Sequence, residues 1–199
     1  GIQKMKTRTK ALLLTLCAAL LVCATVLATM AFLMDTAKVT NTFTVGNVEI
    51  KLDEAAVDED GKATEERTEV GNEYRLIPGK TYDKDPKVTV VANSEDCWLF
   101  VKLENGLVDI TGATTIEDQM KANGWTVIDA AKNIYAYQSI ASANTDVDVF
   151  ETFTLAEDAA VEDYKTAEIV VTAYAVQADG FDTAEKAWNA TFGAPSASN

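Results

Sequence analysis

Carboxylates are the most abundant side chains in this sequence that could do chemistry. Two groups lie close together along the chain, Asp83 with Asp85, and Glu151 with Glu157 and Asp158. Paired carboxylates perform acid–base chemistry when their environments push their two pKa values apart. None of these pairs lies in a segment whose pattern marks it as buried, and a chain with 31 acidic residues contains such pairs by chance. We therefore predict no catalytic residues among them.

A short acidic segment, Asp58-Glu-Asp-Gly-Lys62, resembles part of a calcium-binding loop. An EF-hand register that places its glycine at Gly61 requires an acidic first ligand at position 56 and a glutamate at position 67. The sequence has Ala56 and Arg67 there. A solvated loop is the better interpretation, with weak, charge-driven calcium association left open. We predict no specific metal site and no cofactor.

Histidine is absent from the chain. The commonest general base and metal ligand is therefore missing, together with every Ser/His or Cys/His nucleophile pair and the zinc motifs built on histidine. Of the three cysteines, Cys17 and Cys23 lie in an apolar N-terminal run, which leaves Cys97 alone in a strand-like segment. We interpret Cys97 as a small buried hydrophobic residue. These features predict a protein that is not an enzyme.

Tryptophan side chains could bind sugars by stacking, and the chain has three of them, Trp98, Trp125 and Trp188. Each lies in a segment where apolar and polar residues alternate or recur at regular spacing. Such a position favours packing in the core over exposure on a binding surface.

The elements that must position these residues are mostly strands. Alternation of apolar and polar residues predicts about eight of them, with few helices. Segment 97–103 is apolar on both faces, which predicts a central strand covered by core on one side and by a helix or loop on the other. Segments 115–123 and 183–191 suit short helices, the second docking through Trp188. The predicted fold is mainly β, an antiparallel jelly-roll-type β-sandwich preceded by an N-terminal signal or transmembrane helix.

Three local patterns refine this prediction of a single domain over residues 32–199. Segment 43–52 alternates like one strand, with a bulge or kink where Gly46 shifts the phase. Segment 148–155 also alternates like one strand. Between residues 53 and 73 the alternation is lost and acidic residues crowd together, which predicts a long, solvated, mobile acidic loop.

The N-terminal region has the pattern of an export signal. Four basic residues precede an uncharged run over residues 11–34, and small side chains suit a cut after Ala31, with Phe32 as the new N-terminus. We predict that residues 1–31 are a signal peptide. The alternative is an uncleaved anchor, because 24 uncharged residues would form a helix of roughly 36 Å, enough to cross a bilayer core. Both interpretations place the rest of the chain outside the cytoplasm.

Charge limits the partners of the exported part. Removal of residues 1–31 takes away four of the 17 basic residues and none of the 31 acidic ones, which leaves a net charge of about −18, that is, 13 minus 31. A field of that sign repels nucleic acid and anionic lipid. We predict no nucleic-acid partner and contact with a membrane only through the N-terminal segment.

Three blocks of the sequence resemble a known family. They are residues 39–52 (VTNTFTVGNVEIKL) directly after the export signal, residues 76–90 (LIPGKTYDKDPKVTV) with a Pro-Gly turn before a strand, and residues 172–181 (TAYAVQADGF). These blocks are similar to those of the TasA and camelysin family, exported proteins of Gram-positive bacteria processed by the SipW-type signal peptidase. Together they frame nearly the whole of the chain after residue 31.

The resemblance implies a jelly-roll sandwich and a role as an extracellular matrix subunit that polymerises into biofilm fibres. In such fibres the freed N-terminal segment of one subunit adds as a strand to the next. Here that donor strand would cover residues 32–44, with its side chains supplied by Phe32, Leu33, Met34, Val39 and Phe43. The expected partners are further copies of the chain and, during export, the signal peptidase.

Two other functions stay open at this point. One is a membrane-tethered or secreted cell-surface module that binds cations or glycans through the acidic loop 53–73 or an exposed tryptophan. The other is a metallopeptidase, a class to which some relatives have been assigned, although this sequence supplies no histidine and no recognisable zinc site.

Overall fold

The computed structural model describes residues 40–107 and 114–193. Within them the chain forms eleven strands and three short helices, so the prediction of a mainly β protein with few helices is confirmed. The strands are β1 (Thr40–Val45), β2 (Ile50–Val57), β3 (Ala63–Thr68), β4 (Thr81–Asp83), β5 (Lys87–Val90), β6 (Cys97–Asn105), β7 (Trp125–Asp129), β8 (Ile134–Tyr137), β9 (Asp146–Asp148), β10 (Thr152–Thr154) and β11 (Ile169–Gln177). The helices are α1 (Ile116–Ala122), α2 (Val161–Tyr164) and α3 (Ala184–Thr191).

A five-stranded sheet in the order β1-β11-β6-β8-β7 forms one side of the domain. At its centre β6 and β11 pair antiparallel over nine residues each, with Leu99 opposite Ala175 and Val101 opposite Ala173. The predicted two-sided burial of β6 is confirmed, because every residue from Cys97 to Val101 is buried. Such a strand must be covered on both faces.

The second side is a four-stranded sheet in the order β3-β2-β5-β9, accompanied by the short pair β10-β4. Apolar residues of β2 and β5, such as Leu52 and Val88, share one core with Leu99 and Ala175 of the five-stranded sheet. On the outer face of the five-stranded sheet, α3 covers a second cluster that contains Trp98, Phe100 and Trp188. The molecule is therefore a sandwich of sheets with a helix on one outer face.

Both longer helices follow their sequence signals. Thr115 caps α1 by accepting a hydrogen bond from the Asp118 N–H, and the Asp118 side chain reciprocates at the cap, so that two unpaired helix donors are satisfied. Asn123 ends this helix, as predicted. The terminal helix α3 buries Trp188, which confirms the predicted docking contact.

Two predicted strands are each divided in the structure. The step at Gly46 is not a bulge within one strand, because β1 ends at Val45 in the five-stranded sheet and β2 begins at Ile50 in the other sheet. Segment 148–155 likewise covers the end of β9 and all of β10, and the two strands are separated where the consecutive residues Val149 and Phe150 are both fully buried. Burial of consecutive residues is incompatible with a single strand that has one solvated face.

The prediction of a long solvated loop at 53–73 is wrong. Residues 50–57 and 63–68 pair antiparallel as a β2–β3 hairpin, with a bulge between Ala55 and Val57. The Asp58 carboxylate accepts hydrogen bonds from the N–H groups of Asp60 and Lys62 and closes the turn between these strands. The hairpin was not predicted because nearly every side chain of β3 is exposed to solvent. The sequence of this strand therefore shows no alternation of apolar and polar residues.

No helix within residues 40–107 and 114–193 is long and apolar enough to cross a membrane.

Candidate functional site

The edge of the five-stranded sheet is the feature that bears most directly on the predicted donor strand. There β1 pairs parallel with β11, with Thr40 opposite Val171 and Val45 opposite Val176. The other side of β11 is occupied by β6, so β1 completes the sheet at this end. The outer backbone groups of an edge strand remain available to pair with another chain.

The side chains of β1 contribute little to the domain core. Residues 42 to 45 are all exposed, and the two apolar ones, Phe43 and Val45, expose 52% and 43% of their surface. The first core residue of this part of the chain is Val48, beyond the end of the strand. The attachment of β1 therefore rests mainly on backbone hydrogen bonds, each with a net contribution of about 0.5–1.5 kcal/mol.

One aromatic contact supplements these hydrogen bonds. The Phe43 ring stacks on the Tyr174 ring of β11, with centroids 5.2 Å apart and an interplanar angle of 18°. The Tyr174 ring in turn packs edge-on against the rings of Trp188 and Phe192, and the centroids are 5.3 Å apart in both pairs. Partial burial in this cluster raises the pKa of Tyr174, so its hydroxyl stays neutral at physiological pH. Phe43 thus lies at the solvent end of an aromatic row that extends from α3.

Gly46 forms the junction between β1 and the rest of the domain. Its φ is +93°, a conformation that favours glycine, and a Cβ placed there would lie 2.6 Å from Cβ of Gln177. The next residue, Asn47, donates its N–H to Oε1 of Gln177 at 3.2 Å. Because both features fix the turn beside the last residue of β11, the chain leaves the five-stranded sheet at a defined point.

Of the residues that meet at this edge, only Phe43 was predicted from the sequence to lie in an exchanging strand. Phe43 was expected in the donor strand, and it does lie in an edge strand here. The other expected donor residues, from Phe32 to Val39, and the expected cut after Ala31 lie outside the described residues. Tyr174 and Gln177 were missed. Tyr174 could have been found as the large aromatic residue on the less apolar face of the 169–177 strand.

The carboxylates considered for acid–base chemistry have structural partners instead. Asp83 accepts hydrogen bonds from the Ala63 N–H at 3.0 Å and from Nζ of Lys62 at 3.1 Å. Asp85 accepts from the Ala55 N–H at 2.6 Å and from Arg67 at 2.8 Å. Asp83, the last residue of β4, therefore ties β4 to the start of β3, and Asp85 ties the segment after β4 to β2 and β3.

Asp53 belongs to the same hairpin, where its carboxylate lies between two cations. Lys51 Nζ is 2.9 Å from one of its oxygens, and Arg67 Nε is 2.5 Å from the other. Burial opposes ionisation of Asp53, but the hydrogen bonds from Lys51 and Arg67 outweigh it and lower the pKa of this carboxyl group. Asp53 thus forms ion pairs with two basic residues of the same hairpin, Lys51 and Arg67. No group of three or more His, Cys, Asp or Glu side chains among the described residues is arranged to hold a metal ion.

The tryptophans and the cysteine lie in the interior, which confirms their predicted core roles. Trp98, Trp125 and Trp188 are all buried, and the Trp125 indole N–H donates to the Asp148 carbonyl at 2.9 Å. Cys97 is fully buried, and burial raises the pKa of its thiol to about 12. All four side chains are therefore part of the packed interior.

Comparisons with protein-family models, with curated proteins and with solved structures find no match for this chain.

Proposed function

We propose that the protein is a secreted structural subunit of an extracellular, biofilm-type matrix, and that its subunits join by addition of an N-terminal strand. The observation that carries this proposal is β1, an edge strand whose residues 42 to 45 are exposed and which pairs only with β11 among the described strands. A strand whose described side chains, residues 42 to 45, lie outside the core can leave its sheet without opening the core. A strand of the next subunit can then take its place.

Exchange between subunits would reproduce the same pairing. In the monomer β1 pairs with residues 171 to 176 of β11 in its own chain. In a fibre it would pair with the same residues of a neighbouring subunit. Phe43 would then stack on Tyr174 of the neighbouring subunit. Because one strand is given and one is received, each subunit gains two partners in a head-to-tail arrangement, which extends as a fibre when the rotation between subunits does not close into a ring.

The proposal includes export. Residues 1–31 act as the signal, the cut after Ala31 frees Phe32, and residues 32–39 extend the donor strand ahead of β1. Two sheets with a common core, joined by chain segments that cross from one sheet to the other, support a jelly-roll sandwich. The three sequence blocks that resemble the TasA and camelysin family support the same assignment.

Cross-linking between two variants that each carry one added, accessible cysteine tests the strand exchange, since the native Cys97 is fully buried. Phe43→Cys and Tyr174→Cys subunits carrying different tags are mixed before assembly and treated with a short bifunctional thiol reagent. We expect covalent dimers that contain both tags, because the two cysteines meet only across a subunit boundary. A mixture of Phe43→Cys with Val127→Cys is the matched control, since Val127 is also exposed but lies on β7, at the opposite edge of the sheet.

A second experiment tests the N-terminal donor directly. N-terminal sequencing of exported protein is expected to begin at Phe32, and deletion of residues 32–38 is expected to leave a folded monomer that no longer sediments as fibres. Assembly of the deletion variant at the parent's rate, or cross-links confined to the control pair, would overturn the proposal.

A further inference from the structure

Three side chains that are distant in sequence meet in the interior of the β2–β3 side of the domain. Glu54 of β2 is fully buried, and Lys84, directly after β4, is 4% exposed. Nζ of Lys84 donates to Oε2 of Glu54 at 2.6 Å, and Nδ2 of Asn72 donates to Oε1 of the same carboxylate at 2.9 Å. One buried carboxylate therefore holds a lysine amine on one oxygen and an asparagine amide on the other.

The Asn72 carboxamide is fixed in a single orientation by the bulge in β2. Its Oδ1 accepts the Val57 N–H at 3.1 Å, and its Nδ2 also donates to the Ala55 carbonyl at 2.7 Å. The Asn72 N–H adds a further hydrogen bond to Oε1 of Glu54 at 2.9 Å. A backbone N–H on the amide oxygen polarises the carbonyl group and would stabilise negative charge that develops there.

From this geometry we propose that Lys84 and Asn72 form an intramolecular amide bond, with Glu54 transferring the protons. The Lys84 ammonium gives a proton to Oε2 of Glu54, and the resulting amine attacks Cγ of Asn72. The tetrahedral intermediate carries its negative charge on Oδ1, against the Val57 N–H. The protonated carboxyl group of Glu54 then turns about its Cγ–Cδ bond, which brings the proton on Oε2 to Nδ2, and transfers it as the Cγ–Nδ2 bond breaks.

The step is balanced without any further reactant. The Nζ–Cγ bond forms, the Cγ–Nδ2 bond breaks, and Nδ2 leaves as ammonia. The second proton on Nζ is lost with it, so the sum of products is a neutral amide and an ammonium ion. Glu54 returns to the carboxylate form. No electron is transferred to or from an outside group, and no nucleotide or metal takes part.

The surroundings of the cluster favour this reaction over hydrolysis. Tyr74 lies two residues beyond Asn72 and is 2% exposed, and its hydroxyl donates to the Asp83 carbonyl at 2.8 Å. Burial, followed by the negative charge of Glu54, raises the pKa of Tyr74, so the hydroxyl stays neutral beside the cluster. Tyr74, Tyr82 and Phe153 form an aromatic group whose ring centroids lie 5.2 to 5.7 Å apart. Exclusion of water strengthens the electrostatic interactions within such a site.

If Glu54, Asn72 and Lys84 had a purely structural role, they would make only non-covalent contacts. Asn72 would fill the β2 bulge, and Lys84 would neutralise Glu54 as a buried ion pair. That role leaves the covalent mass of the chain unchanged, whereas amide formation makes the protein lighter by one ammonia molecule, about 17 Da. Mass therefore separates the two roles without any assumption about stability.

The experiment is mass spectrometry on the purified, denatured full-length protein, followed by tryptic mapping. We expect the mass to be lower by one ammonia and the digest to contain a branched peptide that joins residues 68–75 to residues 81–87 through Asn72 and Lys84. Lys84→Met and Glu54→Gln are expected to restore the full mass and to abolish the branched peptide. Lys62→Met is the matched control, because Lys62 pairs with Asp83 at the surface and should leave the cross-link in place.

Two details make the result decisive. A succinimide at Asn123-Gly124 would also release ammonia, so the branched peptide, and not the intact mass alone, is the required readout. Asn72→Asp should lose water in place of ammonia and reach the same final mass as the parent protein. A parent protein with its full calculated mass and separate 68–75 and 81–84 peptides would overturn the proposal, whatever the variants do.

Discussion

The ring of Phe43 in β1 stacks on the ring of Tyr174 in β11, and this is the main side-chain contact described between the edge strand and its sheet. Phe43 is half exposed, while Tyr174 continues into the aromatic cluster beneath α3. The contact therefore links the most accessible strand of the five-stranded sheet to a buried part of the domain. It can be removed without creating a cavity in the core.

Phe43→Ala should loosen β1 and leave the rest of the domain intact. Loss of the aromatic pair removes about 0.5–1.5 kcal/mol beyond the lost contact area. We expect faster amide hydrogen exchange across residues 40–45 with little change in the urea midpoint of the whole domain. Val127→Ala is the matched control, because Val127 is similarly exposed on β7, at the opposite edge of the same sheet. Equal protection of residues 40–45 in both variants would contradict the expectation.

Trp188→Ala should destabilise the whole domain. Trp188 is buried, and its ring lies 5.1 Å from Phe100 and 4.8 Å from Phe192. Truncation of a buried tryptophan costs about 3–5 kcal/mol, because apolar contacts are lost and a cavity remains. Urea denaturation measures the change in the free energy of unfolding. Val70→Ala, at a residue with 63% exposure, should change it by about 0.5 kcal/mol or less.

Asp53→Asn should show a cost that depends on pH. In the folded protein the pKa of Asp53 is lowered, so the contribution of its carboxylate is complete above the unfolded value and is lost as pH falls through the folded value. We expect the substitution to cost about 1–2 kcal/mol at neutral pH. The difference should shrink as pH falls below about 4, the unfolded value, and should disappear only below the lowered folded value, where the parent carboxyl group is protonated in both states.

Urea denaturation at a series of pH values checks this expectation, with Asp179→Asn as the control at an exposed aspartate. A difference between parent and Asp53→Asn that stays constant down to strongly acidic pH would show that the ion pairs with Lys51 and Arg67 contribute no charge-dependent stability.

The strands and helices with a clear local signal were predicted from sequence because the signal is local. Segment 97–103 is apolar on both faces, and this pattern alone required a central strand with cover on each side. The helix between Thr115 and Asn123 was indicated by its apolar residues Ile116 and Met120 and by the Asn-Gly step that ends it. In both cases the residues that decide the structure lie within the element itself.

The hairpin at residues 53–73 was missed because its signal is not local. Glu54 has the same side chain as its exposed acidic neighbours, and only a lysine thirty positions away and an asparagine eighteen positions away make its burial favourable. No count of charges in the segment distinguishes such a glutamate from a solvated one. The edge position of β1 is likewise decided by pairing with β11, far along the chain.

By itself the sequence determined a mainly β chain without histidine, with strong negative charge and with tryptophans and a cysteine at core positions, since composition and periodicity depend only on residue type and order. Tertiary structure decided which strand lies at the edge, that Phe43 meets Tyr174, and that Glu54 holds both Lys84 and Asn72. These relationships depend on register and burial between distant segments, and the free energy of a buried charge or an edge strand is set by the groups that fold against it.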